Sequence, residues 1–275
     1  MKGKLLLALL VSWLCAGLVA GATVSADEML NINGSTTVLP IAQKVAEAYM
    51  KDNPAVRISV SGGGSGNGIK ALIDGMTHIA NSSRFIKDAE VKLALEKGAY
   101  PVPFAVAYDC IVPVVHPTNT VKNLTLDQLK AMYEGQVTNW KTLGGPDLEI
   151  VVISRDTSSG TYEVWEEKVM KKQRVFPGAL LQASSGAIVQ AVSKNKYAIG
   201  YVGHGYLDAT VKALTVEGIE GTETTTLDGT YPISRPLYMF TSGWPTGAAL
   251  NFINYTLNPQ KGQKLVREAG FVPLY

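Results

Sequence analysis

The sequence predicts an α/β protein built as two lobes, on three observations: its 275 residues exceed the usual single domain, short β-branched runs alternate with helix-like segments from Met29 onward, and a similar alternation restarts after Val115. An apolar content of 46% against 17% charged residues is enough to bury a large core. Residues 30–32 read as a strand, 40–52 as a helix with apolar positions at Ile41, Val45, Ala48 and Tyr49, and 56–60 as the next strand. After a Gly- and Ser-rich loop over 61–68 come a helix at 69–74, a short strand at 79–80 and a helix at 89–96. Two strands follow, 102–107 and 111–115. In the second half 126–133 reads as a helix, 150–153 as a buried strand, 159–171 and 187–192 as helices and 198–202 as a strand. The polar stretch 217–228, with Thr222, Thr224, Thr225 and Thr226, is expected to be a surface loop or edge strand, and 247–257 and 259–268 to be two closing helices. No repeat, low-complexity tail or Pro-rich linker marks a lobe boundary, so the boundary must follow from topology.

Lys2 and Lys4 precede an apolar run over residues 5–20, and Val24-Ser25-Ala26 supplies small residues where a signal peptidase cuts, so residues 1–26 read as a cleaved leader. The run over 5–24 is nearly long enough for a membrane anchor, but the small-residue site favours cleavage. Lipid attachment at Cys15 is disfavoured by the bulky Trp13 and Leu14 before it. Cleavage leaves 23 of the 25 basic residues against 23 acidic ones, and Cys110 as the sole thiol. Such a chain is near neutral, has no internal disulfide, and fits a bacterial envelope protein, without the basic footprint of a nucleic-acid binder. No other stretch is long and apolar enough to span a membrane.

Three turns combine small residues and hydroxyls directly before a helix: Gly34-Ser35-Thr36-Thr37, Gly64-Ser65-Gly66-Asn67-Gly68 and Thr157-Ser158-Ser159-Gly160-Thr161. A helix N-terminus offers unpaired N–H groups and about +0.5 charge, and hydroxyls add donors beside it, so each turn is a candidate oxyanion cradle. One such turn is more simply an N-cap; the convergence of three is the signal. They match neither a Walker loop, which needs Gly-Lys-Ser or Gly-Lys-Thr, nor a dinucleotide fingerprint. Arg155 ends the strand at 150–153 and runs into a cradle, where a guanidinium grips an oxyanion through paired hydrogen bonds. Arg84, after Asn81-Ser82-Ser83, is divided between that role and a surface ion pair with a neighbour such as Asp88.

With these segments in order, Asn33-Gly-Ser-Thr-Thr-Val-Leu-Pro40, Ser61-Gly-Gly-Gly-Ser-Gly-Asn-Gly-Ile-Lys70, Ile79-Ala-Asn-Ser-Ser-Arg84, Arg155-Asp-Thr-Ser-Ser-Gly-Thr161 and Ala198-Ile-Gly-Tyr-Val202, the chain resembles the phosphate-binding component of the high-affinity phosphate ABC transporter, the PstS family. The resemblance implies a periplasmic binding protein fold of two α/β lobes joined by two crossing strands, with a dehydrated anion in the cleft. It places Thr36, Thr37 and Ser65 on one side and Arg155, Ser159, Gly160 and Thr161 on the other. Ser83, where many relatives have aspartate, and Arg84 complete the expected set. Crossing strands at 111–115 and 233–240 would give lobe I as residues 27–112 plus 234–275 and lobe II as 113–233. The implied role is capture of inorganic phosphate, as a monomer in the periplasm, for delivery to the membrane permease of an ABC transporter.

With Ser83 in the aspartate position, Asp109 becomes the expected acceptor of the proton that phosphate carries and sulfate lacks, and Asp156 the next candidate. The rival readings are another tetrahedral oxyanion, such as sulfate, molybdate or tungstate, and a periplasmic phosphatase or serine hydrolase. His78, His116 and His204 stand in unrelated contexts and supply no base beside a hydroxyl, and Cys110 lies in an apolar strand. No His and carboxylate cluster has metal-ligand spacing, so neither an enzyme nor a metal or cofactor is expected.

Overall fold

A computed structural model describes residues 28–275; the expected leader, with Cys15, lies outside the described residues. The first part of the chain runs β1 (Glu28–Gly34), α1 (Leu39–Asp52), β2 (Val56–Gly62), α2 (Ser65–Ile73), β3 (Ile79–Ser82), α3 (Asp88–Glu96) and β4 (Pro101–Val115). The middle part runs β5 (Asn123–Leu124), α4 (Leu126–Tyr133), β6 (Val151–Arg155), α5 (Gly160–Lys168), β7 (Leu180–Gln182), α6 (Ser185–Ser193), β8 (Ala198–Gly203), β9 (Lys212–Ala213), β10 (Thr215–Val216) and α7 (Glu223–Leu227). The chain then returns through β11 (Ser234–Ser242) and closes with α8 (Gly247–Leu257) and α9 (Gly262–Glu268).

The strands lie in the order β2-β1-β3-β11-β4-β8-β6-β7, with β9 added to β4 and β5 paired to β10 apart. β1 is parallel to β2 and β3, and β6 is parallel to β7 and β8, so helices make the crossovers within each half. The halves are joined by β4. Residues 101–110 of that strand pair antiparallel with β11, and residues 111–115 pair with β8. The apolar residues gather accordingly. One cluster packs Ile32, Val45, Tyr49, Met239 and Phe252, and another packs Tyr133, Trp140, Trp165 and Tyr201, with Trp165 and Tyr201 stacked at 4.2 Å. Two α/β lobes result.

The expected pair of strands at 102–107 and 111–115 is one strand. The polar step between them is satisfied inside the sheet: Tyr108 exchanges backbone hydrogen bonds with Val272, and Asp109 is paired to Arg235 across the ladder. Other boundaries shift for local reasons. α2 starts at Ser65, inside the expected Gly-rich loop, because Gly68 lets the helix pack on the first turn, where a Cβ would come within 2.5 Å of Gly34 Cα. α5 stops at Lys168, since Lys171 and Lys172 adopt left-handed φ of 51° and 67°. The polar Thr stretch holds the short helix α7, nucleated by Thr222 and Thr225 in a capping box. α9 begins at Gly262 where a helix was expected from Pro259.

Cys110 is fully buried, and burial beside Asp109 pushes its thiol up to about 12. Ellman's reagent at pH 8 is therefore expected to leave Cys110 unreacted in the folded chain and to titrate it fully in denaturant. Rapid reaction of this thiol in the native protein would contradict the burial of β4 at Cys110.

Candidate functional site

The first expected cradle folds around Ser35. Its N–H donates to Asn81 O at 2.8 Å, and its hydroxyl accepts from Thr37 N at 3.2 Å, which fixes the turn from β1 into α1. Beside it Ser65, the first residue of α2, accepts from Ser83 N at 3.0 Å and lies 3.3 Å from the Ser83 hydroxyl. Thr36, Thr37, Ser65 and Ser83 are all buried. Three strand ends, those of β1, β2 and β3, thus bring hydroxyls and two helix N-termini to one spot.

The opposite wall comes from β6 and its neighbours. Ser159 caps α5 by accepting from Tyr162 N at 3.2 Å, which leaves its own O–H free to donate. Gly160 opens that helix against the other lobe; a Cβ there would come within 2.8 Å of Ser83 Oγ and closer to Ser65, so only glycine lets the two walls meet. Thr161 Oγ1 lies 2.8 Å from Thr37 Oγ1. Eight of the ten expected residues, Thr36, Thr37, Ser65, Ser83, Arg155, Ser159, Gly160 and Thr161, fall in these two facing walls.

Arg155 is held from β6 by Gln182 O (2.9 Å) and Ala183 O (3.1 Å), and its Nη1 lies 3.4 Å from Ser185 Oγ. Its carboxylate neighbour, Asp156, stands 3.6 Å away with a third of its side chain exposed. Burial pushes the Arg155 guanidinium below its usual range, with Asp156 opposing. At 2% exposure, this cation is set among hydroxyls and carbonyls rather than against a close counter-ion.

Three residues that the sequence reading missed belong here. Ser185, the first residue of α6, lies 3.4 Å from Thr36 Oγ1 and 3.5 Å from Thr37 Oγ1, and its N–H donates to Thr36 Oγ1. Ser184-Ser185-Gly186 before a helix carries the same small-and-hydroxyl pattern as the other three turns. Arg235 reaches Thr37 Oγ1 at 3.5 Å, donates to Ser83 O and grips Asp109 through Nε (3.1 Å) and Nη2 (2.8 Å). An arginine on the alternation that buries Leu237 and Met239 was the available signal. Tyr206 donates from the middle part of the chain to Thr36 O.

Asp109 and Arg84 are placed differently from the expectation. Asp109 is fully buried, with Oδ2 taken by Arg235 and Oδ1 accepting from His204 N at 2.9 Å. Burial raises its carboxyl while Arg235 pulls it down. It stands behind Arg235 and holds that guanidinium toward Thr37. Arg84 is engaged by carboxylates: Nη1 and Nη2 chelate Glu90 at 2.8 and 2.7 Å, Nη1 also meets Phe85 O, and Nε lies 2.5 Å from Glu163. Both terminal nitrogens are hydrogen-bonded to groups of its own protein, so Arg84 serves as an ion-pair partner.

The arrangement is a cage of donors from both lobes: at least five hydroxyls, the N-termini of α1, α2, α5 and α6, and two guanidinium groups, one of them neutralised. Such a cage holds a small oxyanion. The three histidines are engaged by other partners: His78 accepts from Asn31 N, His116 pairs with Thr118 and His204 meets Gly270 O.

Comparison with known proteins gives a consistent picture. A PBP superfamily domain matches residues 20–260. The phosphate-binding protein PstS of Bacillus subtilis is 32% identical over 90% of this chain and 82% of its own length, and that of Staphylococcus saprophyticus is 36% identical over 88% and 79%. A phosphate ABC transporter substrate-binding protein of Clostridium perfringens, solved with bound phosphate, superposes with a TM-score of 0.84 at 34% identity, over 90% of this chain and all of that one. An ABC-type phosphate transport receptor from Vibrio cholerae superposes with a TM-score of 0.72 at 33% identity, covering 88% and 99%.

Proposed function

The chain belongs to the phosphate-binding PstS proteins of the PBP superfamily, and on that premise we propose that it captures inorganic phosphate between its lobes and delivers it to the membrane permease of an ABC transporter. It works as an exported, periplasmic monomer from which residues 1–26 have been removed. Lobe I comprises residues 27–112 with 234–275 and lobe II residues 113–233. It binds its substrate without transforming it.

One observation carries this reading: Arg155, 2% exposed, has its carboxylate neighbour Asp156 only at 3.6 Å and reaches Ser185, whose hydroxyl meets those of Thr36 and Thr37 on the facing wall. A desolvated cation of this kind is stable when an anion completes it. Parallel calorimetric titrations with phosphate, arsenate, sulfate and molybdate test the assignment. Phosphate and arsenate, which share a shape and a protonated oxygen, are expected to bind more tightly than sulfate and molybdate. Equal or tighter binding of sulfate or molybdate would transfer the assignment to that anion.

Donors divided between lobes also make closure a consequence of binding, because only the closed form offers the anion both walls. Small-angle scattering is expected to give a smaller radius of gyration with phosphate than without. An unchanged radius at saturating phosphate would count against hinge closure.

A further inference from the structure

From the ion pairs outside the anion cage we infer that Glu163, closing onto Arg84 and Lys87 across the cleft, is an electrostatic latch that sets how long the closed form lasts. The inference rests on the phosphate-capture reading and adds a control on it. Glu163 sits on α5 one turn beyond Gly160, so it moves with the wall that carries Ser159 and Thr161. Its Oε2 lies 2.5 Å from Arg84 Nε and 2.8 Å from Lys87 Nζ, both on the β3–α3 segment of the other lobe. Arg84 is already aimed there by Glu90, a lobe I neighbour on α3, which in turn accepts from Lys87 N at 2.9 Å. The lobe I half of the latch is therefore assembled before closure, and Glu163 is the moving part.

Burial gives this contact its weight. The Arg84 and Glu163 side chains are 6% and 12% exposed, whereas another ion pair between the lobes, Arg267 to Glu223 at 2.9 Å, is 60% and 47% exposed and is correspondingly weak. The other contacts between the lobes near this wall are hydrogen bonds without a paired carboxylate, such as Gly66 N donating to Ser158 O at 3.0 Å, Ser158 Oγ to Gly63 O at 3.3 Å and Lys168 Nζ to Ser234 O at 2.8 Å. The latch borders an open cavity of about 830 Å³ that also bears Asp88, Glu166, Glu167, Lys168 and Lys172. Solvent ions reach its Lys87 arm, 54% exposed, from that side and screen that part of it.

The latch adds to the affinity for phosphate without touching phosphate. Glu163→Gln keeps the shape but removes the charge, and is expected to weaken phosphate binding about ten-fold, as loss of a largely buried charged contact does. Arg84→Gln is expected to weaken it similarly, and the double variant no further than either single one, which is the signature of one shared interaction. The loss in Glu163→Gln should shrink as sodium chloride rises from about 0.02 to 0.5 M, since the parent's latch is then screened. Scattering without added phosphate supplies an independent reading, with Glu163→Gln more open than the parent. A parent that gives no heat with phosphate defeats the phosphate assignment but leaves this scattering comparison to decide the latch. Equal phosphate affinity and equal scattering in parent and Glu163→Gln overturn it, as does an additive double variant.

Discussion

Calorimetric titration of Arg155→Ala with inorganic phosphate is expected to show affinity reduced by about 2–5 kcal/mol, or roughly thirty-fold to a few thousand-fold. The range follows from the setting of the side chain. In the parent the guanidinium is desolvated and anchored by the Gln182 and Ala183 carbonyls, so its orientation costs nothing further when an anion arrives. Its removal takes away the buried cation whose carboxylate neighbour stands back at 3.6 Å, and leaves the anion's charge to hydroxyls, helix ends and an Arg235 already paired with Asp109. Ser65→Ala provides the scale: a neutral hydroxyl contributes about 0.5–1.5 kcal/mol, so this variant should bind clearly more tightly than Arg155→Ala. The reverse order would mean that the cage is centred on the Ser65–Ser83 wall and that Arg155 serves the fold of lobe II.

Much of this site could be read in the sequence because its chemistry is local. A small residue and a hydroxyl before a helix is a pattern within five residues, and it found the turns at Thr36, Ser65 and Ser159 that the fold brings together. The fourth turn, at Ser185, carried the same pattern but lacked a charged neighbour in sequence, and its Arg155 contact comes from 30 residues away. The failures are of one kind. Asp109 has its partner Arg235 at the far side of the fold, and Arg84 meets Glu163 there besides its near neighbour Glu90; no local pattern reveals which distant group a buried charge will meet. Asp109 shows the cost of that blindness: between two apolar runs an aspartate reads as a turn, yet a pairing arginine 126 positions later keeps it in the strand.

That pairing changes what Asp109 is expected to do. As the acceptor of a phosphate proton it would need to face the anion, and its partners are instead Arg235, which stands between it and Thr37, and His204 N. Asp109→Asn therefore tests two roles that give opposite results. If the carboxylate serves to hold and neutralise Arg235, the amide leaves a guanidinium of 4% exposure uncompensated, and breaking one side of such a pair costs about 3–5 kcal/mol of folding stability. For a chain of this size each kcal/mol moves the melting temperature by about 2–4 °C, so a fall of at least about 6 °C is expected in thermal unfolding without phosphate. The preference for phosphate over sulfate, read by competitive titration, should stay as in the parent, since selectivity then rests on the hydroxyls that accept from the anion. Replacing both partners, Asp109→Leu with Arg235→Met, should recover much of the lost stability by removing the uncompensated charge. The same double variant should bind phosphate more weakly than the parent, because the positive charge beside Thr37 is gone. An Asp109→Asn protein that melts like the parent but no longer distinguishes phosphate from sulfate would make Asp109 the proton acceptor after all, with Arg235 a bystander to selectivity.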